Sequence, residues 1–245
     1  MRISRVFYPA VSTQSAMITL STETSHYLIR VLRHKRGHQV ILFNNTDGLE
    51  YLAEISHADP KKTILQILSK TEKHNESPIH IHLFQALSKG DKLETVIQKA
   101  TEVGVNEVTP ILTKRVDYKL NQDRIAHKLE HWQKIAISAS EQSARVFVPT
   151  VNTPQALVDA LTIDADIKLF LSPYSNETIT HLYQQQLDAK QFAIYIGPEG
   201  GFSDDEEVLA LNKGCHSIRL GKRILRTETA PLAIIAILQA LWGDY

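Results

Sequence analysis

The sequence predicts an α/β protein in two parts, a small β-rich barrel or sandwich followed by a mostly parallel sheet covered by helices. Two observations carry this. In the first 74 residues, short runs rich in Ile, Leu and Val are separated by turn residues, and after a polar stretch the pattern changes to alternating strand and helix. A length of 245 residues accommodates two modest domains.

In the front segment, strands are predicted at 39–43, 49–55 and 63–68, with Asn44 to Gly48 supplying the turn between the first two. Between them only 26–33 has the spacing of a short helix, so a β barrel or sandwich fits better than a βαβ unit. TEKHNESP at 71–78 is polar, aperiodic and ends in proline, which makes it the expected linker and places the domains at 1–74 and 75–245. Beyond it, strands are predicted at 79–83, 108–112, 167–171, 192–196 and 216–220. Helix 91–103 puts Leu93, Val96, Ile97 and Ala100 on one face, and helix 123–143 follows. Helix 154–161 is expected behind Thr153 as N-cap, with Pro154 in its first turn. Ser203 and Glu206 spell a capping box that starts the helix behind a glycine loop. The final helix, 231–242, is apolar almost all round and should be buried, a second subunit being one possible cover.

No window approaches the roughly 18 uninterrupted apolar residues of a membrane span. No apolar run follows MRISRVFYPA, so nothing directs the chain out of the cytoplasm. The single cysteine, Cys215, fits a reducing compartment. A soluble cytoplasmic protein is the expectation. The formal net charge is zero but unevenly spread: residues 1–74 hold ten Lys and Arg against six Asp and Glu, a net of +4. Most of that excess lies in Arg30, Arg33, Lys35 and Arg36, with His34 and His38 among them, and in Arg2 and Arg5. Charge alone leaves a solvated helix end and an RNA-phosphate patch equally open.

Two segments could carry chemistry. The strand FAIYI runs into Gly197, Pro198, Glu199, Gly200 and Gly201 and then into the capped helix, a location where open α/β sheets bind ligands. Three glycines in five residues allow positive φ and close backbone approach. The spacing matches neither G-x-G-x-x-G nor the phosphate loop, which removes the main support for dinucleotide and nucleoside triphosphate readings. Taken alone, such a loop is more often a tight turn than a site. The second segment, LGKRILRTETA at 220–230, crowds three cations, a carboxylate and two hydroxyls between a strand and an apolar helix. Charges there suggest either a structural ion network or a site.

Weaker candidates are best read as structural. His80 and His82 share a strand face as two metal ligands would, but no Cys or carboxylate lies in register and a hydrogen-bonded pair is the better reading. Cys215 reads as a small core residue. Glu141, Gln142 and Arg145 end a helix, although an arginine there could reach phosphate.

On GPEGGFS at 197–203 with Glu206, LGKRILRTETA at 220–230, IQKATEVGV at 97–105, EQSAR at 141–145 before Pro149, and VLR at 31–33 before Gly37, the chain resembles the RsmE family of 16S ribosomal RNA uridine-N3 methyltransferases. These are enzymes of the SPOUT class. The resemblance spans essentially the whole chain, and the first two motifs are highly specific in combination. His38 and the pair Asn44 and Asn45 depart from the family's usual residues, both in the front domain. The resemblance implies a PUA-like RNA-binding β-barrel followed by a trefoil-knotted methyltransferase domain that dimerises; pattern alone gives an unknotted doubly wound sheet.

It also implies S-adenosylmethionine held by Leu171, Ser172, Ile196, Gly197, Pro198, Glu199, Gly200, Gly201, Leu220, Gly221, Ile224, Leu225, Arg226 and Thr227, with no metal. The partner it implies is 16S rRNA, within the 30S subunit, gripped by Arg2, Arg5, Arg30, Arg33, Lys35, Arg36 and Arg145. N3 of uracil is a poor nucleophile until its proton leaves, so the chemistry needs a proton acceptor and stabilised carbonyl oxygens. Arg226 is assigned the uracil oxygens; Glu228 or Glu199 would accept the proton or, somewhat preferred, orient loop amides. The rival readings are a SPOUT enzyme acting on another RNA base or a tRNA ribose, and a non-catalytic RNA-binding assembly factor.

Overall fold

The computed structural model describes residues 3–88, 90–115 and 122–245, with side chains of 122–124 excepted; Arg2 lies outside the described residues. The chain forms two compact units: residues 1–76 with 140–148, and 77–139 with 149–245. Against the expected domains 1–74 and 75–245, the front unit runs to 76 and includes 140–148.

The front unit is one mixed sheet around one core. Its elements are β1 (Ser4–Phe7), β2 (Met17–Thr19), α1 (Thr22–His26), a π-helical turn (Tyr27–Val31), β3 (Gln39–Phe43), β4 (Leu49–His57) and β5 (Ile64–Glu72), with strand order β1-β3-β4-β5-β2. Period-two alternation turns Tyr51, Ala53 and Ile55 of β4 inward, where they meet Val6, Leu28, Val40, Leu42 and Leu65. Asn44 builds the turn as read, its side-chain oxygen accepting from the N–H of Thr46 and Asp47. The linker begins later than expected: Thr71 and Glu72 still pair with Glu50 and Leu49, because β5 outlasts its apolar stretch.

The second unit alternates strand and helix: β6 (His80–Ala86), α2 (Lys92–Glu102), β7 (Glu107–Leu112), α3 (Gln122–Ser143), β8 (Thr150–Val151), β9 (Gln155–Ala156), α4 (Leu157–Ala160), β10 (Ile167–Leu171), α5 (Ile179–Gln185), β11 (Gln191–Ile196), α6 (Asp204–Asn212), β12 (His216–Ile218) and α7 (Ala230–Trp242). The last four residues of α3 belong to the front unit. The strands pair in the order β12-β10-β11-β6-β7-β8, all parallel, with β9 also on β7. Leu93, Val96, Ile97 and Ala100 are buried as the spacing of α2 predicts. The expected helix 154–161 is corrected: Gln155 and Ala156 extend to pair with Ile111 and Leu112, so the helix is one turn whose N-cap is Ala156, not Thr153. From the edge strand β12 the chain crosses the ends of its neighbours and returns as α7 against β6, β11 and α2. This route gathers β10, β11 and β12 at one end of the sheet.

Candidate functional site

The carboxyl ends of β10, β11 and β12, with the segments that follow them, line a cleft of about 720 Å³. Parallel sheets bind ligands at this end of their strands, and the volume lies in the usual range for small-molecule sites. Leu171, Ser172, Ile196, Gly197, Pro198, Glu199, Gly200, Gly201, Leu220, Ile224, Leu225, Arg226 and Thr227 all line it. Gly221 does not; at φ +74° it turns the chain after Leu220. In the loop after β11, a Cβ on Gly197 would press to 3.1 Å from the Phe202 ring and 3.3 Å from the Phe202 nitrogen. Gly201 has φ +68° and open space where a Cβ would project.

Several groups hold this loop. Ser203 and Glu206 form the expected capping box, and the second Glu206 oxygen accepts the Lys114 N–H at 2.7 Å. Arg115 donates to the carbonyl of Gly200 at 2.7 Å. Thr227 donates through Oγ1 to the carbonyl of Gly197 at 2.7 Å, and Gln85, 2 % exposed at the end of β6, donates through Nε2 to Thr227 Oγ1 at 3.0 Å. Gln85, Lys92 and Arg115 were not singled out from sequence. The signal for Gln85 was present, a lone amide in the otherwise apolar end of β6, where an unpartnered polar group is costly.

Charge at the cleft centres on Lys92, at the start of α2. Its ammonium lies 2.7 Å from Glu199 Oε1 and 3.9 Å from Glu228 Oε2. The hydrogen bond to Glu199 holds it above the usual lysine range. Arg226 projects its guanidinium to solvent, with 86 % of the side chain exposed and Glu228 at 3.9 Å. Glu228 lies behind the lining, with one buried oxygen that accepts no hydrogen bond.

The cationic run of the front unit is exposed at Arg30, Arg33, Lys35 and Arg36, and Arg33 takes φ +58° to turn the chain there. Arg5 and Arg145 are corrected: both are buried and paired. Arg5 meets Glu50, donates to the carbonyl of Arg145 at 2.6 Å and stacks over Phe43. Arg145 grips Glu76 through Nε and Nη2 at 3.0 and 2.7 Å. Charges this buried are stable only when paired, so these two guanidiniums serve the fold. His82 bonds Thr109 at 2.7 Å and His80 meets Glu107 at 3.4 Å, a hydrogen-bonded cluster; among the described residues no three or more His, Cys, Asp or Glu side chains could hold a metal. Cys215 is buried, and burial pushes its thiol up to about 11.

Residues 75–239 match the RNA methyltransferase domain family, and residues 20–68 match the RNA methyltransferase PUA domain family. The chain is 35 % identical to the ribosomal RNA small subunit methyltransferase E of Buchnera aphidicola from Acyrthosiphon pisum, over 100 % of this chain and 96 % of that one. It is 30 % identical to the protein of the same name from Bacillus subtilis, over 94 % of each. Among solved structures, a Legionella pneumophila methyltransferase in complex with the cofactor SAM superposes with a TM-score of 0.94 at 36 % identity, covering 100 % of both chains. A ribosomal RNA small subunit methyltransferase E from Neisseria gonorrhoeae bound to S-adenosyl methionine gives 0.92 at 32 % identity, again over 100 % of both.

Proposed function

The chain belongs to the ribosomal RNA small subunit methyltransferase E family, and from that premise we propose that it transfers a methyl group from S-adenosylmethionine to N3 of a uridine in 16S rRNA. Its fold is of the SPOUT type, a trefoil-knotted methyltransferase domain behind a PUA-like barrel. The observation that carries the reading is the cleft, where the glycine loop and the segment after β12 meet at the ends of three parallel strands.

The residues present fit the cofactor. Leu171, Ile196, Leu220 and Leu225 supply an apolar wall, the glycine loop leaves open space beside its backbone, and Glu199, Asp204 and Glu207 put carboxylates at a rim that a positively charged ligand would meet. S-adenosylmethionine supplies an electrophilic methyl carbon on a sulfonium. The chain's own part is to bind, orient and manage the N3 proton. Arg226, exposed at the lining of the cleft, donates to the uracil carbonyl oxygens, and Lys92 adds a second positive charge that favours the deprotonated ring. Glu199, which lines the cleft beside Lys92, takes the proton directly or through water. Glu228, behind the lining, positions Arg226 and Lys92. Alignment of nucleophile and methyl carbon supplies much of the rate.

The exposed run from Arg30 to Arg36 provides phosphate contacts while the target base is unstacked. The substrate is the RNA within the 30S subunit, the acting species a homodimer, and the compartment the cytoplasm. Among the described residues no helix is long and apolar enough to cross a membrane. Mass spectrometry of nucleosides from small-subunit RNA, treated in vitro with the purified chain and S-adenosylmethionine, tests the reading: N3-methyluridine is expected. A 2′-O-methyl nucleoside or no modified nucleoside would overturn it.

A further inference from the structure

We propose that Gln85 is a positioning residue of the cleft, ordering a one-way hydrogen-bond relay that fixes Thr227 and, through it, the carbonyl of Gly197. This rests on the reading of the cleft as an S-adenosylmethionine site. β6 and β11 pair as far as Gln85 and Ile196, so Gly197 is the first residue of the loop outside their ladder. Pro198 follows and has no N–H to continue it. The Gly197 carbonyl therefore takes its donor from a side chain, the Thr227 hydroxyl at 2.7 Å.

The direction of the relay follows from counting protons. A threonine hydroxyl owns one proton. With that proton on Gly197, the hydroxyl oxygen can only accept, and Gln85 must present its NH₂ at 3.0 Å. The amide orientation is thereby fixed, and the opposite atom, Oε1, is left buried without a partner. Flipping the amide would set two carbonyl acceptors against one hydroxyl proton and strip Gly197 of its bond, which explains why the unpartnered oxygen is tolerated. Gln85 is 2 % exposed, so water does not compete for either end. The relay ties together the end of β6, the glycine loop and the segment that presents Leu225 and Arg226, three stretches remote in sequence.

Gln85→Glu is nearly isosteric but exchanges the donor for an anionic acceptor, which takes the hydroxyl proton from Gly197. Gln85→Met removes the donor and leaves the bond from Thr227 to Gly197 in place. Calorimetry with S-adenosylmethionine should show a Kd raised about tenfold in Gln85→Glu and only severalfold in Gln85→Met. In cofactor-free protein, hydrogen exchange at the amides of Glu199, Gly200 and Gly201 should quicken in Gln85→Glu. In turnover, Gln85→Met should raise KM for S-adenosylmethionine with kcat near wild type, a split that loss of folded protein would not give. Thr227→Val should weaken binding as Gln85→Glu does and make a further Gln85→Met change silent, while Thr227→Ser, which keeps the hydroxyl, should bind nearly as wild type. Independent, additive effects of Gln85→Met and Thr227→Val would overturn the relay, and so would wild-type affinity and exchange in Gln85→Glu. Should Gln85→Glu not fold, the Gln85→Met and Thr227→Val cycle decides alone. A wild-type chain that binds no S-adenosylmethionine overturns the cofactor reading, and the exchange measurement then still judges the relay by itself.

Discussion

Replacing Arg226 by lysine separates transition-state stabilisation from everything else the residue could do. The side chain is 86 % exposed and its ion pair with Glu228 spans 3.9 Å. With the arginine this exposed, a pair at that distance contributes little, so folding stability should move by no more than about 0.5 kcal/mol. Lysine keeps the positive charge and the apolar stem, and affinity for S-adenosylmethionine should change little for the same reason. What lysine lacks is the planar fork that donates two hydrogen bonds at once. Loss of a preorganised donor at developing negative charge typically lowers the rate by about 10²- to 10³-fold; with the charge retained, the lower end, about 10²-fold or 2.7 kcal/mol, is expected. Single-turnover methylation of small-subunit RNA, calorimetric cofactor affinity and thermal unfolding of the same variant give the three numbers. A near-normal rate would refute the reasoning, and equal losses of rate and affinity would reassign Arg226 to cleft organisation.

Three further outcomes are expected. In Gly104→Ala, the residue keeps φ +94° and its new Cβ collides with the amide of Gln239, which is buried, accepts from Ser77 Oγ at 2.6 Å and donates to the Val103 carbonyl at 3.2 Å. Left-handed strain and a displaced buried amide together cost roughly 2–5 kcal/mol, and urea denaturation showing less than about 1 kcal/mol would contradict this. Burial drives the His82 imidazole down to about 4 from 6.5, against a weaker upward pull from Glu107 and with a further downward push from His80. The unfolded chain therefore binds the proton first, so stability is full above about pH 6.5 and declines as pH falls toward 4, by about 3 kcal/mol overall. His82→Gln should flatten that part of the curve in pH-dependent denaturation. Replacing Arg30, Arg33 and Arg36 by alanine should weaken RNA binding and flatten its salt dependence without altering cofactor affinity; an unchanged salt slope in a filter-binding titration would place the phosphate contacts elsewhere.

Elements with a strong period were legible in the sequence. β3 and β10 match their predicted bounds, α2 buries the predicted face, and the capping box closes as read. β1 and β2 escaped because each is so short that one or two buried residues must define it; β2 buries only Ile18, and in β1 one of the two is Arg5, a charge at a core position. Long-range pairing decided the rest. Gln155 and Ala156 are extended because β7 offers its edge, which no local propensity can report. In the site, the glycine loop and the 220–230 segment announced themselves by composition. Gln85 showed only as a lone amide in an apolar strand end and Lys92 not at all, because their partners come from the chain returning to them after more than a hundred residues.

The residues 140–148 that join the front unit have a consequence for how such a chain can be rearranged. The polypeptide passes between its two units three times, at 76, 139 and 148. A single cut therefore cannot free the front unit. Severed at 76, it would leave behind Glu141, which accepts the Phe7 N–H, and Arg145, whose loss strands Glu76 without its guanidinium. Shuffling of modules by one recombination junction would break the same contacts. In this architecture the front unit cannot be exchanged as one continuous block for another.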